Sequence, residues 1–195
     1  MKKSYFILAG LFVLAVVSGY LFSSGRMTIN LDKYAPPMPG GDFTLQSIQG
    51  PVKLADFKGK VVLIYFGYTY CPDICPTALA LTSSALKELN ESELAQIQTL
   101  FISVDPERDT PERLDEYAHF FHPNILGITG TKTEIDYVTK RFGAYYRIPD
   151  HVSGENYAVD HSSQTLVIGK DGEIKATIAH GTLPEPMLLT IREHF

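Results

Sequence analysis

The chain has 195 residues, 45% of them hydrophobic, and a formal net charge of −5. That is enough for one well-buried domain with an appendage and too little for a second full domain. The acidic balance, with no basic cluster in it, argues against nucleic acid or an anionic lipid surface as a partner.

Lys2-Lys3 precede an uncharged, almost wholly apolar run from Tyr5 to Phe22, close to the lower limit of about 17 residues for a helix that crosses a bilayer. A cleaved signal peptide would have a shorter apolar core and a small-x-small cleavage site, which Val17-Ser18-Gly19 approximates poorly. The expectation is therefore a signal-anchor over 1–22 in the cytoplasmic membrane. The positive-inside tendency keeps the two lysines in the cytoplasm and places everything after Phe22 on the periplasmic or other extracytoplasmic side. In a bacterium that side is oxidising, so a cysteine pair can persist there as a disulfide until something reduces it. Residues 23–41, which end in Pro36-Pro37-Met38-Pro39-Gly40-Gly41, read as an extended tether, and 42–195 as the globular domain.

Within that domain, Phe43-Thr44-Leu45 and Val52-Lys53-Leu54 alternate about Gly50-Pro51 and predict a small hairpin. Leu54-Ala55-Asp56-Phe57 reads as one helical turn. Val61 to Phe66 is β-branched, aromatic and apolar throughout, the pattern of a strand buried on both faces. Leu79, Leu81, Leu86 and Leu89 predict a helix from Thr77 to Leu89, and Ile97 to Val104 a second buried strand. Thr110 as N-cap with Pro111 at the first helical position opens a helix whose buried face is Leu114, Tyr117, Ala118 and Phe121. Ile125 to Ile128 is a short strand, and Thr131 to Glu134 a capping box that opens the helix Ile135 to Phe142. Tyr145 to Val159 has no regular pattern. Gln164 to Ile168 and Ile174 to Ile178 flank Lys170-Asp171-Gly172 as a hairpin, and Glu185 to Glu193 closes the chain as a helix. The sum is an α/β fold, a mixed sheet flanked by helices on both faces, with an N-terminal β-hairpin.

The only cysteines lie in Tyr70-Cys71-Pro72-Asp73-Ile74-Cys75-Pro76, at the carboxyl end of the first central strand, the end where open α/β sheets form their sites. Free amides and the dipole of the following helix stabilise a thiolate at such a junction. A thiolate is both the nucleophile of disulfide exchange and a soft ligand for copper or zinc. Because the two cysteines are four apart, one helical turn can bring both sulfurs to one side. From the residues alone the pair can be a structural disulfide, a redox pair without metal, or a metal site. A peroxidase of the peroxiredoxin kind would need Thr-x-x-Cys, and Thr69 stands two residues before Cys71. Tyr65, Tyr68 and Tyr70 read as sheet packing, Asp105 to Asp109 as the start of a helix. Met27 and Met38 belong to the tether. Taken alone, His161 reads as a surface or hydrogen-bonded core histidine. His119, His122, His151 and His194 read the same way, and His180 stands out mildly because it sits before Gly181 at a strand end.

Three stretches together resemble the Sco/SenC family of thioredoxin-like, membrane-tethered copper proteins. They are Gly59 to Pro76 with its Cys71-Pro72-Asp73-Ile74-Cys75, Phe101 to Pro111 with its Asp105-Pro106-Glu107-Arg108-Asp109, and Val159-Asp160-His161-Ser162-Ser163. The likeness runs from about Gly41 to the C-terminus and implies a thioredoxin-like fold. It also implies that Cys71, Cys75 and His161 bind one copper ion. Two thiolates suit Cu(I), and an added imidazole makes a set that can also hold Cu(II). Asp73 and Asp160 are then candidates to orient the imidazole or tune the charge of the site. The implied task is to take copper from an upstream donor and deliver it to the binuclear copper site in the copper-bearing subunit of cytochrome c oxidase. The alternative is a thiol-disulfide oxidoreductase that reduces the copper-ligand cysteines of that client.

Overall fold

The computed structural model describes residues 40–149 and 157–195. The expected anchor, residues 23–39 of the expected tether, and His151 lie outside the described residues, as do Met27 and Met38. Among the described residues no helix is long and apolar enough to cross a membrane.

The centre of the molecule is β3 (Val61–Gly67), whose seven residues are all buried. It pairs in parallel with β4 (Ile97–Ser103), which pairs in parallel with β5 (Ile125–Ile128). On its other side β3 runs antiparallel to β8 (Thr165–Ile168), which is followed by the antiparallel edge strand β9 (Ile174–Ile178). The sheet order is therefore β5-β4-β3-β8-β9, a mixed sheet as the sequence predicts. Gly172 takes φ +86° in the β8–β9 turn, a conformation that only glycine adopts at little cost.

Alternation along β3 assigns the helices to faces. Tyr65 and Gly67 point to one side, where they meet Cys75 of α1 (Ile74–Lys87). Phe101 stacks beside Tyr65 on that side and carries Tyr117 of α3 (Pro111–Phe121). Phe66 points the other way, toward Phe142 at the end of α4 (Lys132–Arg141). The starts of α3 and α4 follow the expected chemistry. Thr110 caps the first with Pro111 behind it, and Thr131 and Glu134 exchange capping bonds at the second. The last helix, α5 (Pro184–Arg192), packs against α1.

Four local features differ from expectation. The hairpin of β1 (Thr44–Ser47) and β2 (Gly50–Lys53) turns at Ile48-Gln49 and not at Gly50-Pro51. The Ser47 hydroxyl accepts from the Gln49 N–H and donates to the Gly50 carbonyl, which closes the turn early. Helix α1 begins at Ile74, three residues before Thr77, because Pro76 falls in its first turn, where no intrahelical N–H is required. A one-turn helix, α2 (Glu91–Leu94), stands ahead of β4 under an Asn90 cap. The stretch expected to be irregular begins with β6 (Tyr146–Arg147), which pairs with β7 (Asp160–His161) as a separate two-stranded ribbon.

Candidate metal centre

Between β3 and α1 the chain makes a tight turn in which the Cys71 N–H donates to the Tyr68 carbonyl. This brings the Cys71 sulfur over the open end of α1, where it accepts the backbone N–H of Cys75 at 3.4 Å. A sulfur thus takes the place of the usual capping oxygen, and the Asp73 side chain makes no cap bond. Both thiols are free and buried, Cys71 at 8% exposure and Cys75 at 0%. The two are electrostatically unequal. A hydrogen bond from the Cys75 thiol, with help from the backbone amides of Cys75 and Asp73, pulls the Cys71 thiol down to about 4 against the opposing effect of burial. The same bond, followed by its deeper burial, pushes the Cys75 thiol up. Cys71 is thus the thiolate of the pair and Cys75 the thiol.

His161 arrives on β7. Its pairing with Tyr146 hangs the ribbon so that the imidazole Nε2 stands 3.4 Å from the Cys75 sulfur. Its Nδ1 lies 2.9 Å from the Ser162 carbonyl oxygen. A carbonyl can only accept, so this bond puts the proton on Nδ1 and leaves the Nε2 lone pair facing the sulfurs. The rings of Tyr65 and Tyr68 stand edge-on to the imidazole, and the Tyr65 hydroxyl is 3.9 Å from the Cys75 sulfur. Burial, then the neighbouring Cys75, pushes the Tyr65 phenol up. The donor atoms of Cys71, Cys75 and His161 all lie within 4.8 Å of one another.

A family model described as SCO1/SenC matches residues 32–195. The chain belongs to the SCO1/SenC family. The human mitochondrial protein SCO1 homolog is 40% identical over 139 residues, 70% of this chain and 46% of that protein. The chain spans between 46% and 59% of the length of the bovine, yeast and human mitochondrial relatives it matches. The structure of Bradyrhizobium japonicum ScoI with copper bound is similar with a TM-score of 0.73 at 33% identity, covering 80% of this chain and 99% of that one. That of yeast Sco1 with copper bound gives 0.75 at 36% identity, covering 81% and 88%. The mixed sheet with flanking helices matches the thioredoxin-like fold of these Sco structures.

In this SCO1/SenC chain the three donors that the motifs single out converge, while the two acidic candidates sit beside them in the chain, Asp73 at the start of α1 and Asp160 next to His161 on β7. The Asp73 carboxylate accepts from the Thr77 hydroxyl at 3.3 Å, and Asp160 is exposed on the ribbon opposite Arg147. Orientation of the imidazole comes from the Ser162 carbonyl, a backbone group that no side-chain motif reveals. His180 lies beside a small cavity with Ser163 and Met187. His122 is buried and accepts the Asn124 N–H.

Sequence reasoning missed the polar frame around the turn. Asp109, fully buried, accepts from the backbone N–H and hydroxyl of Thr69 and from the Ser103 hydroxyl. Arg108 and Asp105 form a buried ion pair that reaches Tyr157. The available signal was two aspartates and an arginine directly after a buried strand, but charged residues there read equally well as a solvated helix start. As for chemistry, a structural zinc site uses four protein ligands, and the cluster among the described residues offers three. Two sulfurs and one imidazole are a donor set that Cu(I) accepts, with Cu(II) accessible through the nitrogen.

Proposed function

We propose that this chain carries copper for the assembly of cytochrome c oxidase, holding one ion through Cys71, Cys75 and His161 and passing it to the binuclear copper site of the oxidase. The observation that carries the reading is the convergence of those three donors, drawn from a helix cap, a helix and a separate ribbon. The copper-bound states of the related ScoI and Sco1 structures support the choice of metal, and one relative's description as a member of a family of cytochrome c oxidase assembly proteins supports the client. The cysteines supply thiolate for Cu(I), and the imidazole extends the set to Cu(II). The apolar run from Tyr5 to Phe22 serves as the anchor and residues 23–41 as the tether that holds domain 42–195 outside the membrane. Titration of the reduced full chain should give one equivalent of Cu(I) and, separately, one of Cu(II), each lost in Cys71→Ser and Cys75→Ser. Absence of tight Cu(II) binding by the wild-type protein would sink the proposal.

The inequality of the two thiols favours a second reading as a reductant of client cysteines. The Cys71 thiolate would attack a client disulfide, forming a mixed disulfide and releasing one client thiolate. Cys75, on losing its proton, would then attack the Cys71 sulfur, closing a Cys71–Cys75 disulfide and freeing the second client thiol. Two electrons pass from the pair to the client. On this reading Cys75→Ser traps the mixed disulfide with the oxidase subunit, and a failure to trap leaves copper transfer as the sole function.

A further inference from the structure

Arg108 lies between the two lengths of chain that bring the donors together. Its side chain is 6% exposed, and the guanidinium pairs with the fully buried Asp105 at 2.5 Å. It stacks 3.4 Å from the centre of the Tyr157 ring and donates to the Tyr157 carbonyl at 2.9 Å. The second oxygen of Asp105 accepts the Tyr157 hydroxyl at 2.7 Å. The same guanidinium is 4.7 Å from the ring centre of Tyr70, the residue before Cys71, and 5.5 Å from that of Tyr68. Tyr68 in turn accepts the backbone N–H of Val159 at 3.2 Å. One side therefore consists of the turn that ends in Cys71, and the other of the run Tyr157 to Val159 that leads into His161.

The start of α3 does not need this arrangement, since Thr110 and Pro111 already provide it. A buried ion pair is also a poor source of stability, because apolar residues of the same volume generally do as well. What it supplies is a defined geometry: the planar fork of an arginine fixes a ring, a carbonyl and a carboxylate at once. We infer that Arg108 is a positioning residue for the third metal ligand, clamping Tyr157 so that His161 is presented to the sulfurs of Cys71 and Cys75. The inference rests on the copper reading for its consequence, but its mechanical part is measurable without metal.

The test uses Arg108→Lys and Tyr157→Leu in the full chain. Lysine keeps the charge and loses the fork and the stacking, and the leucine at a half-buried position leaves the Arg108–Asp105 pair intact should the first variant fail to fold. In the metal-free protein, amide exchange at Val159 to Ser162 should accelerate about tenfold or more in both variants while α1 stays at the wild-type rate. In the copper-loaded protein, the Cu(II) spectrum should change and Cu(II) affinity fall about tenfold, with Cu(I) affinity within about threefold of wild type, because the thiolates suffice for the softer ion. Wild-type exchange at Val159 to Ser162 together with an unchanged Cu(II) spectrum would overturn the inference. So would an equal loss of both oxidation states accompanied by faster exchange throughout the domain, which marks a merely structural role. If the wild-type protein binds no copper while the variants still loosen Val159 to Ser162 alone, the copper reading falls and the clamp stands.

Discussion

Nε2 of His161 lies 3.4 Å from Sγ of Cys75, across 86 residues of chain. The contact joins a rigid helix to a two-residue strand, so the histidine can be removed without dismantling the sulfur pair. His161→Ala should lower Cu(II) affinity by about 100-fold or more and Cu(I) affinity by less than about tenfold, as expected when thiolates satisfy the softer ion. Competition titrations with chelators of each ion measure both. Equal losses would show that the imidazole holds the fold and not the metal.

The unequal cysteines fix the proton count of metal binding. With Cys71 held down to about 4 and Cys75 pushed up, one thiolate and one thiol meet the incoming ion between pH 6 and 8. Cu(I) binding should then release about one proton from the pair, and affinity should rise about tenfold per pH unit in that window. Two ordinary thiols would give a slope near two. The sign follows from proton loss on binding, and titration in buffers of different ionisation heat reads it directly.

Alkylation tests the same asymmetry without copper. Between pH 8 and pH 6 an ordinary thiol loses about 80-fold in thiolate and in rate. Cys71 should lose little over that range, slowing only as pH approaches its folded value of about 4. Iodoacetamide labelling followed by peptide mass analysis separates Cys71 from the buried Cys75.

Gly67 is where β3 passes closest to the site. A Cβ added there would stand 2.7 Å from the Cys75 sulfur, 2.8 Å from the Phe101 ring and 3.0 Å from the Tyr65 ring. Gly67→Ala should cost about 1–3 kcal/mol in denaturant unfolding, the usual range for overpacking, and should weaken copper binding by displacing the sulfur. Wild-type stability would show that the turn yields freely.

Asp109 should matter through the three donors it satisfies. Asp109→Ala leaves the buried Ser103 hydroxyl and the half-buried Thr69 donors without their acceptor and should cost about 3 kcal/mol, whereas Asp109→Asn keeps an oxygen and should cost about 1 kcal/mol. Burial, aided by the charge of Asp105, raises the Asp109 carboxyl despite its three hydrogen bonds. Its folded state therefore holds the proton longer than the unfolded one, and this group's contribution to stability falls as pH rises from about 4 through the folded value. That component of the pH dependence should vanish in Asp109→Asn when urea midpoints are compared.

Much of this was readable from sequence because β3 is buried on both faces. A strand in that position must be apolar throughout, so Val61 to Phe66 announces itself, and the cysteines that follow inherit their place at its carboxyl end. The caps at Thr110 and Thr131 were readable for a similar reason, since each is a local bond within four residues. The β6–β7 ribbon was not, because two residues a side are too few for any periodicity and Tyr146 meets His161 only through the fold. The Arg108–Asp105 pair was hidden by its own chemistry: hydrophobic patterning places charged residues outside, and these two are buried. His161 as a donor came from resemblance, and the geometry then supplied the reason, a backbone carbonyl that sets its tautomer.

The small ribbon also sets an order of events. Cys71 and Cys75 are fastened to the central strand and its helix, whereas His161 is carried by a two-residue strand outside the five-stranded sheet. Local opening of so short a pairing disturbs few bonds, and opening of β3 disturbs the whole core. If the chain passes copper on as proposed, His161 would be the donor that lets go first, and Cys71 and Cys75 would hold the ion until the acceptor's own ligands take over. On the proposed copper-carrying role, hand-over would then pass through a complex shared with the acceptor, with Cys71 and Cys75 the last residues of this chain to let go.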